Sequence, residues 1–207
     1  MKIELKGVGK RFRQEWVLRE LSGSFEQPGR YAVTGPNGSG KSTLLRLLSG
    51  HLTPSKGQVS FFENEQKLNP EQVYAHISYA APYIELIEEF TLAEALDFHR
   101  KFRPFLPGLG TKEIIARLGF QKSATKEIRH FSSGMKQRLK LLLAICSASS
   151  VLLLDEPGTN LDRQGMDWYH GLIADFAGDR LLIVASNVPE DYAFCKAYLD
   201  VREWKKG

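Results

Sequence analysis

The sequence predicts an α/β chain with a mostly parallel central sheet, and three observations carry that prediction. A glycine-rich loop, Gly35 to Thr43, lies between an apolar strand-like run at 31–34 and an apolar helix-like run at 44–48. Two wholly apolar runs, at 151–154 and 181–185, have the length and composition of strands buried on both faces of a parallel sheet. Between them, Met166 to Phe176 spaces its apolar residues as an amphipathic helix. Strand, helix and parallel strand around such a loop give an α/β architecture.

Bulk properties narrow the options further. At 207 residues and 43% hydrophobic content, the chain suits one well-packed domain, 1–207. The net charge of +4 is too small to argue for nucleic acid, and none is expected as a partner. No apolar run approaches the roughly 20 residues that cross a bilayer, and residues 1–5 hold no signal-peptide core, so the expectation is a soluble, cytosolic chain. Cys146 and Cys195, without ligand spacing around them, read as reduced, buried thiols.

Taken in order, residues 2–33 alternate short apolar runs (3–5, 16–18, 24–25) with turn signals, which suggests an antiparallel β layer. Within it Phe12 follows Lys10 and Arg11, and is either an aromatic exposed to stack on a purine or a packed strand residue. After the loop, a helical run at 44–52 leads through a turn to a strand at 58–62, and a further strand is expected at 75–81, stopped by Pro82. Thr91 and Glu94 form a capping-box pattern opening a helix at 93–102, and Thr111 opens another at 113–118. Residues from about 83 to 130 thus read as a helical insertion. The bases from Arg100 to Lys140 are either solvated helix faces or a surface for a membrane or partner. A helix is expected over 132–145.

Gly35-Pro36-Asn37-Gly38-Ser39-Gly40-Lys41-Ser42-Thr43 fits the pattern G-x-x-x-x-G-K-[ST], whose backbone N–H groups turn inward around phosphate at a helix N-terminus. Lys41 is placed to reach the β- and γ-phosphates, and Ser42 to offer its hydroxyl to Mg²⁺. Asp155 and Glu156 follow the apolar run at 151–154, where open α/β sheets bind ligands. Asp155 is the candidate Mg²⁺ holder and Glu156 the group that polarises an attacking water. Ser132-Ser133-Gly134, at a helix start, is either a plain cap or a second anion-binding end.

The order of motifs, Gly35 to Thr43, Phe131 to Arg138, Val151 to Pro157 and Asn160-Leu161-Asp162, closely resembles the nucleotide-binding subunit of ABC ATPases along nearly the whole chain. The resemblance implies a P-loop NTPase with a RecA-like core, an antiparallel β subdomain and a helical subdomain. It implies ATP and Mg²⁺ as ligands and head-to-tail pairing with a second nucleotide-binding subunit. Separate transmembrane permease subunits would hold the chain on the cytoplasmic face of the membrane. It further suggests Phe12 as the adenine-stacking aromatic, Ser132 and Gly134 as contacts to the partner's γ-phosphate, and Asp162 as part of a loop communicating across the dimer.

Three departures from the family pattern stand out. Ser133 and Met135 replace a glycine and a glutamine of the usual Leu-Ser-Gly-Gly-Gln signature. Pro82 falls where the family carries a glutamine, and Asn187 where it carries a switch histidine. Proline brings neither the amide nor a backbone N–H. The expectation is an ATPase that powers an ABC transporter, turning over slowly. The alternatives are a nucleotide-gated subunit with little hydrolysis or an ABC ATPase outside transport.

Overall fold

The structure, a computed structural model, describes residues 1–204. Its elements fall into two compact units.

The first unit takes in residues 1–79, 149–156 and the described residues from 179 onward. It opens with a long hairpin, β1 (Lys2–Phe12) against β2 (Glu15–Glu26). Residues Ile3 and Leu5 alternate inward and are buried, as a half-buried strand requires. The three short apolar runs of the sequence are pieces of these two strands, interrupted because their solvent-facing positions are polar and the register shifts between Leu5 and Arg11. After β3 (Arg30–Thr34) and α1 (Lys41–Leu48), β4 (Lys56–Glu63) and β5 (Gln66–Lys67) complete an antiparallel sheet ordered β2-β1-β4-β5.

One expectation needs correction here. The run 75–81 is not a single strand: Ala75 and His76 close a helix, α2 (Pro70–His76), and β6 (Ile77–Ala80) begins only afterwards. The cause is local. Pro70 sits in the first helical turn, and the Asn69 N–H donates to Gln72 Oε1 at 3.0 Å, which starts a short helix ahead of the strand.

The second sheet is ordered β6-β7-β8-β3-β9, with β7 (Val151–Asp155), β8 (Leu181–Ala185) and β9 (Ala197–Asp200). The β7/β8, β8/β3 and β3/β9 pairs are all parallel. Every residue of β7 and β8 is buried, which is why those runs carry no polar alternation. α1 lays Leu44, Leu45, Leu47 and Leu48 into the same core as Val33, Leu153 and Ile183. Ile3, Leu18 and Phe25 of the antiparallel sheet join that core.

The second unit, 80–148 with 157–178, is helical: α3 (Leu92–Phe102), α4 (Thr111–Leu118), α5 (Ser133–Ile145) and α6 (Arg163–Phe176). Thr91 caps α3 as expected, its hydroxyl accepting the Glu94 N–H while Glu94 accepts the Thr91 N–H at 2.8 Å. α4 starts at Thr111, two residues ahead of the expected 113. Gly110 occupies the cap, its N–H donating to Glu113 at 3.0 Å, and Thr111 instead donates its hydroxyl to Asp97. Among the bases of this unit, Arg100, Arg117, Arg129, Lys136 and Arg138 each meet a carboxylate, so much of the positive charge is locally balanced. Cys146 and Cys195 are both buried and not joined in a disulfide, and burial raises the Cys195 thiol to about 12.

Candidate nucleotide site

The loop after β3 is shaped by its own glycines. Gly35 has φ 141°, and a Cβ there would come within 2.8 Å of Ser39 Oγ and 2.9 Å of a Val201 methyl, so the turn closes tightly on itself. At Gly38, φ 73°, an added Cβ would meet nothing within 4 Å, so this glycine's role is torsional. Ser39 N–H donates to Pro36 O at 3.1 Å, and Gly40 leads into α1 with Lys41 as its first residue. Asn37, Gly40, Lys41, Ser42, Thr43 and Glu156 border a cavity of about 330 Å³.

Lys41 is only 4% exposed. Its ammonium donates to Gly35 O at 3.0 Å and to Pro36 O at 3.3 Å, while Glu156 Oε1 stands 3.8 Å away. A buried cation whose nearest partners are carbonyls and one loosely placed carboxylate leaves positive potential at the cavity. Ser39 is also buried, and its hydroxyl has no hydrogen-bond partner among the described residues. An anionic oxygen at the loop would satisfy such a group.

The residues just after two neighbouring strands, β7 and β8, reach the loop. Asp155 ends β7, is 1% exposed and accepts the Tyr79 hydroxyl at 3.5 Å. Glu156 follows at φ 45°, its N–H donating to Ala185 O at 2.8 Å, which ties the turn to β8. Beyond β8, Ser186 donates to Asp191 at 2.6 Å, and Asn187 Nδ2 donates to Asn37 Oδ1 at 3.3 Å. Thus Asn187 meets the phosphate loop across 150 residues of sequence.

Phe12 ends β1 with 48% of its surface exposed and the Lys10 ammonium 5.3 Å from its ring centre. The packed-residue alternative for Phe12 therefore does not hold. Phe12 is not among the residues bordering the loop cavity, whereas Val17 is, and a Gly40 Cβ would stand 3.0 Å from the Val17 side chain. Sequence reasoning missed Val17, since an apolar residue inside a strand run carries no signal of its own.

A separate cavity of about 320 Å³ lies within the helical unit, bordered by Phe120, Ser132, Gly134, Met135, Arg138 and Asn160 together with residues 161 and 162. Ser132 caps α5, accepting the Met135 N–H at 3.2 Å, and remains exposed. Gly134 is needed for closeness, because a Cβ there would stand 3.0 Å from Asn160 O. Asp162 caps α6, accepting the Gly165 N–H at 2.7 Å, and lies 3.7 Å from Arg138. Arg138 and Asn160 belong to the motifs that the sequence marks at 131–138 and 160–162, but only the fold sets them beside Ser132 and Gly134, with Asn160 at φ 63° after the Asp-Glu-Pro turn. Pro82 offers its carbonyl to Lys140 Nζ at 2.6 Å.

No group of three or more His, Cys, Asp or Glu side chains gathers as a metal cluster among the described residues. An all-protein metal cage is therefore not built here. Ser42 borders the loop cavity and Asp155 does not; each brings only oxygen donors, the chemistry that Mg²⁺ prefers. Among the same residues, no helix is long and apolar enough to cross a membrane.

Comparison with known proteins agrees with this geometry. A family model described as ABC transporter matches residues 18–159. The chain is 30% identical over 196 residues to the ABC transporter ATP-binding protein YybJ of Bacillus subtilis, covering 91% of this chain and 87% of that protein. It is 32% identical over 170 residues to the Nod factor export ATP-binding protein I of Rhizobium johnstonii, covering 77% of this chain and about half, 52%, of that one. In fold it resembles an ATP-binding ABC transporter protein of Pyrococcus furiosus, with a TM-score of 0.81, 19% identity and all of both chains covered. It also resembles a bacterial ABC transporter cassette solved as a dimer, with a TM-score of 0.79, 20% identity and 99% of both chains covered. The chain belongs to the ABC transporter family, as one of its ATP-binding members.

Proposed function

We propose that this chain binds ATP on the loop 35–43, hydrolyses it slowly, and powers transport through membrane subunits carried on other chains. The observation that carries the reading is the buried Lys41 ammonium, held by the carbonyls of Gly35 and Pro36 and facing Glu156 across 3.8 Å. Loop N–H groups and Lys41 bind and orient the triphosphate, while Ser42 and Asp155 are the residues that would hold Mg²⁺. Bound there, Mg²⁺ would supply positive charge to the phosphate oxygens. Glu156 accepts a proton from the water that attacks the γ-phosphorus, and Asn187 donates its amide on the same side. Phe12 stacks on the purine.

Two copies, or this chain and a homologous one, close over two nucleotides, with Ser132 and Gly134 of one completing the site on the other. The exposed Ser132 hydroxyl and the open cavity beside it support that arrangement. A second reading, a nucleotide-gated subunit with little turnover, is favoured by Pro82 and by the neutral Asn187. Gentle extraction of membranes and recovery of this chain tests the function: it should carry an integral membrane protein with it, and recovery only with ribosomes or DNA would overturn the transport assignment.

A further inference from the structure

Segment 82–88 is fastened to α5 at both of its ends. At the first, Lys140 Nζ donates to the Pro82 carbonyl at 2.6 Å. At the second, Lys136, one turn nearer the start of α5, pairs with Glu88 at 2.5 Å, and the Arg129 N–H donates to Glu88 O at 2.9 Å. The segment lies outside helices and strands, the Ile84 N–H closes the turn 81–84 and the Phe90 N–H the turn 87–90, and Tyr83 and Ile87 are more than 40% exposed. Lys140 is half-buried, and burial, then the Lys136 charge, lowers its pKa, so its ammonium gives up water to reach a backbone carbonyl. A charge-assisted bond to a carbonyl that no side-chain substitution at Pro82 would remove is a fixed attachment point.

We infer that Lys136 and Lys140 form a two-point strap, with Lys140 a positioning residue that makes segment 82–88 take its place from α5. The start of α5 carries Ser132 and Gly134, so whatever displaces that helix is passed to Pro82 without passing through the segment's own weak turns. This last consequence rests on the proposed nucleotide contact of Ser132 and Gly134. The strap itself does not.

Amide hydrogen exchange on the whole chain, with and without ATP and Mg²⁺, separates the two. Lys140→Met keeps most of the aliphatic stem and removes the donor. Without nucleotide, the Ile84 amide in Lys140→Met should exchange at least about fivefold faster, the order expected for losing one charge-assisted bond at a half-buried site. Lys140→Arg should restore most of the protection, and Lys136→Met should loosen the Phe90 end instead. Exchange at 84 unchanged in a Lys140→Met protein of unaltered thermal midpoint would overturn the strap; unfolding of that variant passes the decision to Lys136→Met, whose unchanged exchange at 90 overturns it equally. With ATP, wild-type segments 132–138 and 83–89 should gain protection together, and Lys140→Met should uncouple them. If 132–138 does not respond to ATP in the wild type, the nucleotide reading of Ser132 and Gly134 fails while the strap is still judged on the nucleotide-free arm.

Discussion

Lys41 Nζ and Glu156 Oε1 stand 3.8 Å apart, close enough to feel each other's charge and too far for a hydrogen bond. The carboxylate is therefore not locked onto the lysine. With a 37% exposed side chain, Glu156 is open to water, whereas Lys41 at 4% is held by two carbonyls. Glu156→Gln keeps size and hydrogen bonding but cannot accept that proton. It should bind ATP normally, lose 10²-fold or more in turnover, on the order of 3 kcal/mol of transition-state stabilisation, and accumulate as a nucleotide-loaded dimer in gel filtration. Equal turnover in the two proteins would remove Glu156 from the chemistry.

Pro82 and Asn187 are expected to slow the reaction. A missing preorganised donor costs about 2 to 4 kcal/mol, and Asn187 recovers part of this as a neutral donor. The double substitution Pro82→Gln with Asn187→His should raise steady-state turnover by roughly tenfold or more, at the expense of the Asn187 to Asn37 contact. Unchanged turnover would mean that these positions do not face the γ-phosphate.

Phe12 stands exposed at the end of β1 beside the Lys10 ammonium. If it stacks on adenine, Phe12→Ala should weaken ATP binding by about 1 to 3 kcal/mol while leaving the affinity for inorganic tripolyphosphate unchanged. Equal losses for both ligands, read by calorimetry, would place Phe12 with the loop and not with the base.

His99 gives the helical unit an acid sensitivity. Its ring accepts or donates to Ser147 Oγ at 2.8 Å and stacks on Phe105 at 5.5 Å. Burial first, and the Arg103 charge second, lower the imidazole from the ordinary 6.5 to about 4. Between those values the unfolded chain binds a proton that the folded one refuses. The stability contribution is whole above pH 6.5 and is lost as pH falls toward 4, by about 2 to 3 kcal/mol. Denaturant titrations should show His99→Gln less sensitive than wild type across that window; identical slopes would rule the imidazole out.

The sequence was most informative where one physical demand acts on consecutive residues. The runs at 151–154 and 181–185 are buried on both faces, so their composition alone marks them, and the loop at 35–43 is recognisable because its glycines and Lys41 stand at a fixed spacing within nine consecutive residues. What stayed hidden depends on partners far along the chain. Lys136 meets Glu88 and Arg117 meets Asp175, so part of the charge in a stretch that looks basic is balanced locally. The helix α2 was masked because its last residues run directly into β6, with no glycine or proline between them. Val17 reaches the loop only through the bend of β2, and Asn160 reaches Gly134 only through the turn after Pro157.

The strand that delivers the phosphate loop, β3, has its two sheet neighbours in β8 and β9. Both are translated some 150 residues after it. Until those strands emerge, the strand of residues 30–34 has neither sheet neighbour, and only the core side chains of residues 3–48 can pack against it. Nucleotide capture by the loop is expected only once residues 181–200 flank β3 on both sides. A ribosome-bound fragment stopped before that point would carry the entire glycine-rich motif and still be unable to grip a triphosphate.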